Sequence, residues 1–191
     1  MGDNLQAAVS VSMKVRGAVP FSTNTAFTSS PIMRQNGQVI NQVEDLDGVR
    51  PSPAYPNPND AYQWIQFVSE VSARCLKHKK GNCGELAAMA CLLLFRMDVF
   101  PVEYVKVTDN ISSNPAIPHA FAVVGRTANQ GRYEWPKDDS EIGLPNTWHA
   151  DAAICDPWDR TAYPAKEYEF FWKNLMSKAA GRLTCVLLHQ F

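Results

Sequence analysis

The stretch GNCGELAAMACLLLF, residues 81–95, decides how this chain is read. A glycine, an asparagine, a cysteine and a second glycine lead into an alanine- and leucine-rich run. Asn82 can cap a helix, and Glu85 stands three residues on, as in a capping box. The run is apolar almost all round through Leu94, which marks a central buried helix. A cysteine that only packs would fit anywhere inside that run, yet Cys83 stands where the helix begins. The N–H groups and macrodipole of a helix N-terminus favour a negative charge. A thiol is a nucleophile only as thiolate, and a free cysteine titrates near ~8.5. The position therefore predicts an activated sulfur. Gly84 would let a substrate approach the backbone, and N–H groups beside Cys83 can hold an oxyanion.

Working outward, the preceding helix opens at Asn59 or Asp60, either of which can cap it. Trp64, Phe67, Val68, Val71 and Cys75 recur on one face; Lys77, Lys79 and Lys80 suit the last turn and Gly81 the stop. Residues 102–107, 119–125 (HAFAVVG) and 148–155 (WHADAAIC) read as strands. A polar loop at 126–146, long enough for a functional flap, separates the last two. Residues 165–180 read as an amphipathic helix with Tyr168, Phe171, Trp172, Leu175 and Met176 inward and Gly181 as its stop; 183–188 closes as a strand. A helix pair, a mostly antiparallel sheet and a covering helix make an α+β domain over residues 59–191, its central helix packed on the sheet.

Residues 1–58 differ in texture. They are rich in Ser, Thr, Asn, Gln and Gly, and end in RPSPAYPNPN, where Pro51, Pro53, Pro56 and Pro58 fix extended backbone. They read as a flexible or loosely packed N-terminal arm with a Pro-rich spacer, of which Val39, Ile40 and Val43 could dock.

The 191 residues are 46% hydrophobic and 19% charged, as in soluble globular proteins, and the net charge of −1 argues against nucleic acid or an anionic membrane as partner. No run of about 18 apolar residues suggests a membrane span. The first residues lack the basic-then-apolar layout of a signal peptide, and Gln6 breaks the myristoylation pattern that Gly2 invites. Cys75, Cys83, Cys91, Cys155 and Cys185 are odd in number and contain no CxxC, so reduced thiols are expected. Cys75, His78 and Cys83 do not have zinc-finger spacing; no metal and no cofactor is expected. No phosphate-cradling or dinucleotide motif occurs.

A thiolate needs a base, and the base an orienting partner. His119 opens a strand after Pro118. Asp156 ends a strand before Pro157, which should hold it extended. Strand ends facing a helix N-terminus can bring Cys83, His119 and Asp156 together. Asp151 is the rival acid, but lies inside its strand. His149, His78 and His189 are read as structural or solvated. Trp158 either shields the His–Asp pair from water or is an ordinary core aromatic.

GNCGE at 81–85, HAF at 119–121 and CDPW at 155–158 resemble the motifs of papain-like and transglutaminase-like thiol enzymes, in particular the protein-glutamine deamidase effectors and toxins of bacteria. The resemblance covers residues 60–190 and implies a Cys83–His119–Asp156 triad, with Asn82, Gln63 or Gln66 as a further oxyanion donor. It implies amide hydrolysis through a thioester, with glutamine deamidation of a host protein as the expected reaction. Cysteine protease and transglutaminase are alternatives of the same chemistry. A catalytically silent partner-binding domain using the 126–146 loop is the non-enzyme alternative. An effector of this kind would be a soluble virulence protein, secreted without a cleaved signal peptide into the host cytoplasm. The polar N-terminal arm suits an injection channel, so deleting residues 1–50 is expected to stop export and spare activity.

Overall fold

The residues of HAFAVV, 119–124, are all buried, and their alternation separates two cores. Ala120, Ala122 and Val124 join one hydrophobic cluster, Phe121 and Val123 the other. Period-two alternation gives each strand two faces, so burial on both means a sheet covered on both sides.

The computed structural model describes residues 2–20, 49, 55–57, 59–108, 119–126, 141–173 and 183–191, with the backbone of 34–35, 38–39, 109 and 140. Helix α1 (Asp3–Ala18) comes first, then a short hairpin of β1 (Arg34–Gln35) and β2 (Gln38–Val39). Helices α2 (Ala61–His78) and α3 (Cys83–Arg96) precede β3 (Val102–Asp109), β4 (His119–Val124), β5 (Ser140–Glu141), β6 (Ala153–Asp156), β7 (Thr161–Pro164), the one-turn α4 (Tyr168–Phe171) and β8 (Leu183–Gln190). The last six strands form one sheet in the order β5-β8-β3-β4-β6-β7, every neighbouring pair antiparallel. Helices α1, α2 and α3 cover one face. Tyr168 and Trp172 cover the other, with Ile142, Leu144 and Trp148 packed beside them. The architecture is α+β.

Small side chains bring α3 onto the sheet. Gly84, Ala87, Ala88, Ala90 and Cys91 are all buried in it, opposite Ala120 and Ala122 of β4. Close approach of helix and sheet buries α3 from Gly84 to Leu92, whose remaining buried residues include Leu86, Met89 and Leu92, with Leu94 beyond. Each large apolar side chain so covered contributes on the order of 1.5–3 kcal/mol.

Several expectations need correcting. The N-terminal arm is not loose over residues 3–18. Ala7, Ala8, Val11, Ser12 and Val15 form one helical face, buried against α3, β6 and β7, and the Cys155 thiol donates to the Ala8 carbonyl at 3.3 Å. The alanines and Ser12 on that face give little hydropathy contrast, which is why the sequence hides the helix. Tyr55 docks on Trp64, Phe67 and Tyr104. Ile40, Val43, Pro51, Pro53 and Pro58 lie outside the described residues, as do 127–139 of the expected flap.

Asp60 caps α2, accepting from the Gln63 N–H at 2.9 Å, and Lys79, in the left-handed region at φ 57°, ends it. Gly81 is needed for space instead: a Cβ there would lie 3.2 Å from both Cys75 Sγ and Glu85 Cβ. Residues 148–152 are a turn, and the strand starts only at Ala153. The missed strand β7 carries Pro164 on the sheet edge, where a missing N–H is tolerated. The expected helix over 165–180 begins as a 3-10 turn (Ala165–Glu167) and one turn of α-helix; Leu175, Met176 and Gly181 lie outside the described residues.

Candidate active site

The N-terminus of α3 points at the end of the sheet where β4 begins. Asn82 is the N-cap, in extended backbone, and its reciprocal capping box with Glu85 is formed. The Glu85 carboxylate accepts from the Asn82 N–H at 2.9 Å, and Leu86 N–H closes the first helical turn on Asn82 O at 2.9 Å. The first turn of a helix aims its N–H groups outward. With the Glu85 N–H taken by the cap, the outward pair belongs to Cys83 and Gly84. Cys83 is the partly exposed cysteine; Cys75, Cys91, Cys155 and Cys185 are buried. Burial pushes those four thiols up, Cys75 and Cys185 to about 12. They stay protonated, and their surroundings leave them inert.

Register brings the base and acid together. Ala122 pairs with Cys155 and Val123 with Ile154, so continuing the ladder sets Phe121 opposite Asp156. His119, two residues beyond Phe121 along the ladder, is the diagonal neighbour of Asp156. The side chains meet: His119 Nε2 lies 2.5 Å from Asp156 Oδ2, and both residues are buried. The turn after β6 steadies the acid, since Asp156 Oδ1 accepts from the Asp159 N–H at 3.2 Å. Trp158 lies 4.9 Å from the His119 ring, centroid to centroid, with Phe121 at 5.8 Å on the same ring. Trp158 is itself buried, so aromatic surface excludes water from the pair.

The His119 side chain is also hydrogen-bonded to Cys83. Because Nε2 is committed to Asp156, the ring nitrogen that meets the sulfur is Nδ1. Burial alone would lower the His119 pKa. The charge and hydrogen bond of Asp156, followed by those of Cys83, override it and raise the imidazole to about 10. A charged imidazole donates from both nitrogens, which suits a carboxylate on one side and a sulfur on the other. Cys83, His119 and Asp156 thus form one connected line of side chains from helix to sheet.

The other candidates that the sequence pointed to divide. Gly84 is buried, and its carbonyl accepts from the Tyr104 hydroxyl at 3.0 Å. Asn82 is engaged as the cap. Gln63 and Gln66 are exposed on α2. Asp151, the rival acid, is exposed beside His149 in the 148–152 turn, 3.7 Å from its Nδ1. His78 is exposed on α2; His189 is buried and stacked on Trp64.

Three further groups surround the line that sequence spacing did not point to. Asp159 is partly buried beside Asp156; burial and the Asp156 charge raise its carboxyl to about 6, against the opposing charge of His119. Its signal was its place in the same turn, DPWD. Arg16 of α1 is lowered to about 10 by burial and by Arg160, with Asp156 opposing. It therefore stays charged beside the acid. Nothing in a residue 140 positions before Asp156 announces that. Tyr104 is the third, fully inside the core.

Among the described residues no group of three or more His, Cys, Asp or Glu could hold a metal ion, and no helix is long and apolar enough to cross a membrane. A scan against protein-family models, a search of curated proteins and a search of solved structures each find no match to this chain.

Proposed function

We propose that this protein is a thiol hydrolase of amides, with a papain-like or transglutaminase-like arrangement, acting on the side-chain amide of a glutamine in a protein substrate. The observation that carries the reading is the buried His119–Asp156 pair at 2.5 Å, with Cys83 at the first position of α3 as the other partner of the imidazole. Cys83 Sγ attacks the amide carbonyl carbon, and the oxygen takes the electron pair of the broken π bond. The outward N–H groups of Cys83 and Gly84 face that oxyanion. The carbonyl re-forms, the C–N bond breaks, and His119 gives its proton to the nitrogen, which leaves as ammonia. Water, deprotonated by His119, then attacks the thioester; the C–S bond breaks, and glutamate and the resting pair result. Asp156 keeps the imidazole oriented and its charge balanced throughout.

The glutamine preference rests on the likeness of GNCGE, HAF and CDPW to bacterial deamidase effectors, as does the expectation of a host-protein substrate. Two measurements test the proposal. Iodoacetamide should modify Cys83 far faster than the other four thiols, and His119→Ala should remove that advantage. A eukaryotic protein extract treated with the enzyme should then show glutamine converted to glutamate, read by peptide mass spectrometry and absent with Cys83→Ala. Cleaved peptide bonds, or an added primary amine attached to glutamine, would reassign the reaction to a protease or a transglutaminase. A Cys83 no more reactive than the buried thiols would sink the enzyme reading and favour a partner-binding domain.

A further inference from the structure

Two tyrosines lead from the surface to the turn that carries the nucleophile. Tyr104, on β3, is 1% exposed, and its hydroxyl lies 3.0 Å from the Gly84 carbonyl oxygen. A carbonyl oxygen only accepts, so the phenol spends its single hydrogen there. Tyr104 is also hydrogen-bonded to Tyr55, its burial and its surroundings holding it neutral. Tyr55 is the second polar neighbour of the Tyr104 hydroxyl.

Both rings are held in place without these bonds. Tyr55, 44% exposed, lies nearly parallel to Trp64 at 6.0 Å and meets Phe67 and Tyr104 edge-on at 5.9 Å each. Trp64 is also stacked on His189, at 5.0 Å and 6°. Removing either hydroxyl should leave the aromatic packing intact.

The Gly84 carbonyl belongs to the Gly84–Glu85 peptide unit, one residue past Cys83 in the same helical turn, and the Gly84 N–H is one of the two aimed outward from that turn. A lateral bond from the sheet to that carbonyl sets how the turn is rotated against β4, and hence where Cys83 Sγ stands relative to His119. The capping box secures the same turn from its N-terminal side only.

We propose that Tyr104, oriented by Tyr55, is the positioning residue that sets the angle of the nucleophile turn toward His119. This rests on the thiol-enzyme reading above. Neither tyrosine is assigned contact with substrate; each acts through Gly84.

The test is a double-mutant cycle on the rate of iodoacetamide alkylation at Cys83, read by mass spectrometry on the full chain. Tyr104→Phe should slow the reaction about tenfold, a displacement of well under 1 Å being enough for a loss of this size. Tyr55→Phe should slow it by a smaller factor in the same direction. In the His119→Ala background both effects should shrink below about twofold, because the geometry they protect is then gone. Equal slowing in both backgrounds, or unchanged rates in both variants, would overturn the positioning role while the Cys83–His119 reading stands. If His119→Ala alone left the wild-type rate, that reading would fall and this one with it. Should Tyr104→Phe lose its cooperative melt, Tyr55→Phe decides, since Tyr55 is 44% exposed and its ring contacts remain.

Discussion

Replacing Asp156 by asparagine isolates the charge of the acid from its shape. The amide can still accept from the Asp159 N–H and still fills the same buried space. What it removes is the charge, the largest influence raising His119, and with it the charge-assisted bond at 2.5 Å. A group titrating at about 10 is charged at neutral pH in all but about one molecule in a thousand. In Asp156→Asn, burial opposes only the smaller contribution of Cys83, and the imidazole returns toward or below about 6.5, with no more than about a quarter charged. An asparagine also donates to Nε2, so the neutral ring carries its proton on Nδ1 and offers no base to the sulfur. Alkylation of Cys83 at neutral pH should fall at least about fourfold from the charge population alone. On the proposed hydrolysis, which needs the proton moved twice, turnover should fall about 10³–10⁴-fold. The assay is the iodoacetamide rate across mildly acid to mildly alkaline pH, alongside a thermal melt to show the fold is kept. A variant that alkylates at the wild-type rate with the wild-type pH dependence would refute the argument that Asp156 holds the imidazole charged.

Other consequences can be checked on the fold itself. Arg126 grips fully buried Glu103 with two bonds of 2.6 Å, so Arg126→Met should cost about 3–5 kcal/mol, and less at acid pH where Glu103, already raised by burial, takes up a proton. Chemical denaturation should also show Glu103→Gln/Arg126→Met recovering most of that loss. Deleting residues 2–20 strips Val11 and Val15 from the core, so the truncated chain should lose both its cooperative melt and its selective Cys83 alkylation; retained reactivity would show that α1 is dispensable. The folded-state pKa of His119 lies above its unfolded value, so its stabilisation is complete below about 6.5 and fades as pH rises toward about 10. The stability gap between wild type and His119→Ala should therefore narrow over that window, and a gap that widens would contradict the sign.

The parts of the site legible in the sequence are those where local chemistry breaks a pattern. A cysteine between two glycines before an apolar run, a histidine opening a strand and an aspartate before proline each interrupt periodicity at the end of an element. Ends of elements are where a sheet and a helix N-terminus can converge. Strands β3, β4 and β8 were legible for the opposite reason, since buried strands of Val, Ala, Phe and Leu leave little ambiguity. What stayed hidden depends on contacts between distant segments. Helix α1 buries small side chains, so its face shows little contrast, and Arg16 gains meaning only through β6 and Arg160. Arg126 read as the start of a polar loop because nothing local says that Glu103, on a neighbouring strand, is buried and needs a cation. Tyr104 alternates like any core strand residue; its hydroxyl acquires a role from the helix 20 residues before it.

The uneven exposure of the five cysteines has a practical side. Toward a thiol reagent this chain should behave as though it had a single cysteine. Four thiols are sealed in the core, so scrambled internal disulfides are closed to the folded protein. Thiol oxidation should end at Cys83, as a sulfenic acid or a disulfide-linked pair of chains, and a thiol reductant should reverse both. The same property makes the unaltered protein a one-site platform for a fluorophore or crosslinker, and lets the fraction of competent molecules in a preparation be counted by a single titration.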